Sequence, residues 1–195
     1  MVSGEFAGFR LVGGTALSLQ RGHRLSVDID MFTDAPYSSI DFSILETYLT
    51  SAFPYVSGND HKVAGMGKAY IAGENEKASI KLDVFYTDTF IRPALVVDGI
   101  RMAHVEDIIA MKLDIISRSG RKKDFWDIHE LMGDYSLNQM LALHEERYPY
   151  AHDKKSIINN FKNFTTADSQ IDPDCLHGKH WEVIKLDIMD FVKNS

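Results

Sequence analysis

The sequence predicts an α+β chain in which a small mixed sheet, flanked by helices, precedes a helical carboxy-terminal part. Three observations predict it. "SVDIDMF" (26–32) alternates apolar and polar residues, "KAYIAG" and "ASIKLDVFYT" form two further extended runs around the turn-like "ENEK", and from His104 onward the apolar period changes to that of a helix. Extended runs followed by helical runs read as an α+β arrangement. A linear division follows, with an α/β core over 1–103 and a helical region packed on it over 104–195.

In order along the chain, "GFRLV" reads as a short strand, broken by Gly13 and Gly14. "TALSLQ" supplies one or two helical turns, which Gly22 ends. In the strand that follows, Val27, Ile29 and Met31 share one face and Asp28, Asp30 and Phe32 the other. "SSIDFSILETYLTSAF", from Ser38, has helical spacing and stops before Pro54. In the second arm of the hairpin Ile80, Leu82 and Val84 oppose Lys81, Asp83 and Phe85. "HVEDIIAMKLDIISRS" and "RKKDFWDIHELMGD" read as two helices meeting at Ser119 and Gly120. The remainder is expected to be helical, with breaks near Pro149 and in "DSQIDPD".

Bulk composition narrows the function classes. The chain has 195 residues, 45% hydrophobic and 25% charged, which supports a packed core and excludes disorder as the main state. Its formal charge of -7 restricts nucleic-acid contact to a local basic patch, because phosphate contact needs Lys or Arg. The single cysteine, Cys175, precludes an internal disulfide framework and suits a reducing compartment. "MVSGEFAGFR" lacks the pattern of a signal peptide, and no run approaches the ~20 apolar residues that cross a bilayer. These features lead to the expectation of a cytoplasmic protein with no membrane partner.

The chemistry concentrates between Val12 and Phe32, in "VGGTALSLQRGHRLSVDIDMF". Residues two apart on a strand point the same way, ~6.5 to 7 Å apart at Cα, so Asp28 and Asp30 can reach one point above it. Paired carboxylates favour a cationic partner, and hard cations such as Mg²⁺ take oxygen ligands. The same tripeptide also suits a solvated strand edge. Asp83, on the polar face of another strand, completes a two-metal set if the strands are neighbours, as ligand or as base for an attacking hydroxyl. Two glycines before a helix let backbone amides approach a phosphate, and Thr15 can add a hydroxyl.

Lys112 falls on the apolar stripe of its helix with Ile108 and Ile115, where an ammonium needs a partner or a route to water; the options are a phosphate, a carboxylate or snorkelling. "RSGRKKDFWD" groups Arg118, Arg121, Lys122 and Lys123 ahead of Asp124 and Asp127, either as a solvated helix end or as an electropositive rim for triphosphate or RNA. Asp124 suits a helix cap, and Lys123 with Asp127 an i,i+4 pair. Cys175, His177 and His180 match no strong zinc pattern and are expected in a loop. Trp181, Ile184, Ile188 and Val192 form a helical stripe that suits core or a partner surface.

"GGTALSLQRGHRLSVDIDMF" and the later "KLDIISRSGRKKDFWDIHEL" resemble the two ordered motifs of the AbiEii/AbiGii toxin family of nucleotidyltransferases, in the DNA polymerase beta-like superfamily, over about Phe9 to Met132. The resemblance implies a nucleotidyltransferase-type sheet, with Gly13, Gly14 and Thr15 on phosphate. Asp28, Asp30 and Asp83 are implied to hold Mg²⁺, two ions with Mn²⁺ as an alternative. Lys112, Lys123, Asp124 and Asp127 are implied to complete the site around nucleotide. His23, Arg24 and Ser26 belong to the first motif, and Arg24 and Ser26 join the nucleotide-binding set. The implied reaction moves a nucleoside monophosphate from a nucleoside triphosphate to an acceptor hydroxyl, with RNA or tRNA as acceptor and a cognate antitoxin as partner. The alternatives are AMP transfer to a protein or small molecule, and a nucleotide-binding module without turnover.

Overall fold

The computed structural model describes residues 3–59 and 65–194; the first two residues of the amino-terminal stretch and Ser195 lie outside the described residues. A mixed sheet forms, as the sequence predicts, with seven strands among the described residues. Its strands are β1 (Arg10–Leu11), β2 (Ile29–Thr33), β3 (Tyr55–Asn59), β4 (Gly67–Asn75), β5 (Ala78–Tyr86), β6 (Leu95–Val97) and β7 (Ile100–Met102), in the order β3-β4-β5-β2-β1-β7-β6. The helices are α1 (Gly13–Arg21), α2 (Phe42–Ala52), α3 (Val105–Ser117), α4 (Lys122–Leu131), α5 (Leu137–Arg147), α6 (Lys154–Phe161), α7 (Thr165–Asp168) and α8 (Trp181–Lys193). Among the described residues no helix is long and apolar enough to cross a membrane.

The chain clusters into two compact units. The first comprises 1–16 and 27–103 and contains every described strand. The expected hairpin is β4–β5, and β2 pairs in parallel with β5, with Asp30 opposite Asp83 and Phe32 opposite Phe85. Met31 and Val84 are buried on the other face with Leu45 and Leu49 of α2. That apolar side holds a cavity of about 90 Å³, lined by Met31, Leu49, Phe53, Ile80 and Leu82 among others, away from the carboxylates.

The structure adjusts several sequence expectations. Val27 lies before β2 and is 73% exposed instead of joining the apolar face. Helix α2 starts at Phe42 and not at Ser38, because Asp41 accepts from the Ser43 amide as its cap and Ser38 sits at a φ of 64°. Three strands were not anticipated: β3, directly after Pro54, and the β6–β7 hairpin. In that hairpin Asp98 and Gly99, at φ of 50° and 77°, supply the paired left-handed conformations of a two-residue turn.

The second unit comprises 17–26 and 104–195. The helical period of 104–131 produces α3 and α4, joined through Ser119 at a φ of 118°. Ile108, Ile109, Leu113 and Ile116 of α3 are fully buried with Phe125, Ile128 and Leu131 of α4. Trp181, Ile184 and Ile188 complete this core from α8, and the Trp181 ring stacks on Trp126 with centroids 6.4 Å apart. The linear division at 103 and 104 coincides with the start of this unit's helical stretch, but the unit also takes in 17–26. Backbone hydrogen bonds explain the addition, since Leu25 donates to the Asp174 carbonyl and Leu176 to the His23 carbonyl.

Candidate functional site

Parallel pairing of β2 with β5 places Asp30 beside Asp83, side chains on the same face. The Phe32 and Phe85 rings meet edge-on one pleat further along, at 6.2 Å, and mark that face independently. Opposite Asp83 on β4 stands Ala69. Asp28 precedes β2 by one residue, and its carbonyl accepts a hydrogen bond from the Thr15 hydroxyl.

The glycine turn closes on this carboxylate face. The Val12 amide donates to the Asp30 carbonyl at 2.8 Å, which ties the turn to β2. Gly13 has a φ of +67°, and a Cβ there would stand 2.7 Å from Asp30 Oδ2. Only a residue without a side chain accepts both the conformation and the approach. Gly13, Gly14 and Thr15 open α1, so their amides lie at the start of the helix. The Thr15 hydroxyl, expected to serve a phosphate, donates to the Asp28 carbonyl instead.

Lys81 was placed on the polar face by its alternation but was not singled out. Its Nζ lies 2.5 Å from Asp83 Oδ2. The hydrogen bond to Asp83 holds the ammonium above its usual range; burial pulls the other way, and the charges of Asp83, Asp30 and Asp28 add to the rise. The ammonium thus pairs with Asp83 and feels the charges of Asp30 and Asp28 as well. Asp83 Oδ1 is buried and finds no hydrogen-bond partner among the described residues. The signal in the sequence was a basic residue two positions before the third aspartate, on the same strand face.

A second set of predicted residues assembles in the other unit. Lys112 is 3% exposed and donates to Asp124 Oδ1 at 2.7 Å, with Asp127 Oδ2 at 2.6 Å. Arg24 binds Asp127 through two nitrogens, Nε to Oδ1 at 2.6 Å and Nη2 to Oδ2 at 2.9 Å. His23 Nε2 lies 2.8 Å from the same Oδ1; a carboxylate only accepts, so this nitrogen carries the proton. Arg121 donates its amide and guanidinium to Asp124, which caps α4 as expected. Asp127 turns inward to these partners. Lys123 and Ser26 are both half-buried.

The electrostatics of this set follow from burial opposed by pairing. Burial alone would raise the Asp127 carboxyl, but Lys112, His23 and Arg24 outweigh it and hold the group far below the usual carboxylate range. Asp124 is lowered in the same way, against burial, by Lys112 and Arg121. Burial disfavours the Lys112 ammonium, yet Asp127 and Asp124 keep it above its ordinary value.

Among the described residues no three His, Cys, Asp or Glu side chains are packed as a ready metal shell, the Cys175 loop included. Cys175 carries a free thiol and bridges to Arg24 through its backbone. The carboxylate face nevertheless suits a hard cation. It offers oxygen donors only, its buried Oδ1 lacks a partner among the described residues, and it already draws a positive group to Asp83.

The chain matches, over residues 1–194, the family described as Nucleotidyl transferase AbiEii toxin, Type IV TA system. An uncharacterised protein of Aquifex aeolicus (strain VF5) is 26% identical over 189 residues, covering 91% of this chain and 82% of its own length. Among solved structures, a nucleotidyltransferase from Helicobacter pylori superposes with a TM-score of 0.59 at 20% identity, over 96% of this chain and 85% of that one. MenT4, a nucleotidyltransferase toxin from Mycobacterium tuberculosis, superposes with a TM-score of 0.61 at 13% identity, over 96% and 76%. These two likenesses establish the fold; the family match extends the resemblance beyond Met132 to nearly the whole chain.

Proposed function

The chain belongs to the AbiEii nucleotidyl transferase toxin family, and from that premise we propose that Asp28, Asp30 and Asp83 hold the divalent metal of a nucleotide-transfer site. The enzyme class, nucleotidyltransferase, follows from the family. Donor, acceptor and metal are the proposed part. The supporting observation is the register of Asp30 on Asp83, on one face, with the Gly13 backbone against Asp30.

In this reading an acceptor hydroxyl attacks the α-phosphorus of a nucleoside triphosphate in line. The new oxygen–phosphorus bond forms as the bond to pyrophosphate breaks. Asp83 orients the hydroxyl and takes its proton. The amides of Gly13, Gly14 and Thr15 bind phosphate oxygens at the start of α1, where the helix dipole favours negative charge. Bound Mg²⁺, as one ion or two, supplies Lewis-acid polarisation and neutralises phosphate charge; Mn²⁺ has the same ligand preference. In the second unit the network fixes Lys112, Asp124, Asp127 and Arg24, and Lys123 and Ser26 are its candidates for direct nucleotide contact. RNA or tRNA is the proposed acceptor, and the family's type IV system implies a cognate antitoxin.

The test is incubation of the parent and Asp30→Ala with each labelled triphosphate, Mg²⁺ and total RNA. Transfer by the parent is expected to fall at least about hundredfold in the variant, the scale of losing a group that acts only on the transition state. Equal labelling overturns the scheme. Label on protein or on a small molecule, read by intact mass, redirects the acceptor to AMP transfer. Binding of nucleotide with no transfer to any acceptor marks a module without turnover.

A further inference from the structure

Lys81 stands on the carboxylate face with its stem on β5 and its ammonium on Asp83 Oδ2, at 2.5 Å. Its side chain is 55% exposed while that of Asp83 is 19% exposed, so the charged head approaches the carboxylate from solvent and is free to leave toward it. Asp30 stands in register with Asp83 on this face, and the charges of Asp30 and Asp28 also act on the ammonium. The Lys112 and Arg24 charges, in contrast, are almost fully buried and spent on Asp124 and Asp127. Lys81 is thus a mobile cation on the face where carboxylates would otherwise repel one another.

We propose that Lys81 is a tethered counter-ion that occupies the carboxylate set of Asp28, Asp30 and Asp83 and yields its place to the divalent cation. Two consequences follow. Before metal enters, the ammonium limits repulsion among the aspartates and keeps their face assembled. On entry the metal must displace it, so intrinsic metal affinity is held down by the competition. The inference rests on the metal-site reading above.

The experiment is Mn²⁺ binding to the full chain in the absence of nucleotide, read from the electron paramagnetic resonance of free Mn²⁺, for the parent, Lys81→Met, Lys81→Arg and Asp30→Asn. Removing a unit charge a few ångströms from the ion is expected to tighten Mn²⁺ at least about tenfold in Lys81→Met, the scale of a unit charge acting on a divalent ion at about 4 Å even with the screening of bulk water. Lys81→Arg keeps the charge and is expected to stay within about threefold of the parent. Thermal unfolding supplies a second reading: Lys81→Met is expected to melt lower than the parent without divalent ion and to gain more from saturating Mn²⁺. Unchanged or weaker Mn²⁺ binding in Lys81→Met overturns the proposal, since a lysine serving only as a structural strut gives no gain. Asp30→Asn separates the two failures. If it loses Mn²⁺ while Lys81→Met shows no gain, the metal site stands and the counter-ion role falls. If it binds Mn²⁺ as the parent does, the metal-site reading fails and the counter-ion role fails with it.

Discussion

At Gly13 the backbone φ is +67° and Asp30 Oδ2 stands 2.7 Å from the place a Cβ would occupy. Both constraints act on the same carboxylate, so Gly13→Ala tests the turn and the site together. Left-handed backbone at a non-glycine residue costs about 1–2 kcal/mol, and the methyl group must also push Asp30 aside. The variant is expected to lose about that much stability by chemical denaturation. Its transfer rate is expected to fall about hundredfold, the scale of a 1 Å misplacement at a reacting centre. A folded Gly13→Ala variant with parental transfer would separate the glycine from the carboxylates. Lys81 shows the limit of reading single residues. An exposed lysine in a hairpin is ordinary, and only the neighbouring strand reveals which charges it faces.

Among the elements, α3 and α4 share a buried set of charges. Lys112 on α3, Asp124 and Asp127 on α4, and Arg24 after α1 form one buried network. Asp127→Asn removes the charge that two buried cations share. Loss of one partner from a buried ion pair costs about 3–5 kcal/mol, because the charge left behind is uncompensated. The pH dependence has a definite sign. Asp127 and Asp124 titrate lower in the folded chain than unfolded, so their stabilisation is complete above the unfolded carboxylate range, near 4. It is lost as pH falls from there toward the depressed folded values. Lys112 is raised, so its contribution is present below the unfolded lysine value and is lost only as pH climbs through the folded one. Denaturant unfolding should therefore show a plateau in this contribution through neutral pH and a decline below about pH 4, with the acid slope shallower in Asp127→Asn. An unchanged slope would remove Asp127 from the account.

For the whole molecule, the proposed metal site makes divalent cations an expected stabilising ligand of a chain with net charge -7. A ligand that binds only the folded state at 100 times its Kd adds about 2.7 kcal/mol. For a chain of this length that raises Tm by roughly 5–10 °C. Adding Mg²⁺ to chelator-treated protein is expected to produce such a rise by calorimetry, and Asp30→Asn to remove it. A rise equal in parent and variant would place the ion elsewhere.

Most of the architecture was legible where a period survives in the chain. Residues alternating by two produced β2, β4 and β5, and the 3.6-residue spacing produced α3, α4 and α8. The strands that escaped are short. β6 has three residues, all exposed, and β3 contains a glycine, so neither displays a buried face that alternation can detect. Asp98-Gly99 was the available signal for the β6–β7 turn. The spacing of Asp28 and Asp30 suggested one strand face for both, but β2 begins at Ile29 and only Asp30 lies on the strand.

By itself, then, the sequence determined the longer periodic elements, the place of Lys112 on the apolar stripe of its helix and the family to which the chain belongs, since each is written in spacing along the chain. Tertiary structure alone decided that Asp83 stands in register with Asp30, that Lys81 sits among their charges, and that Asp127 takes Arg24 from 103 positions away. Such partners are selected by strand pairing and by the cost of leaving buried charge unmatched, and no local periodicity records either.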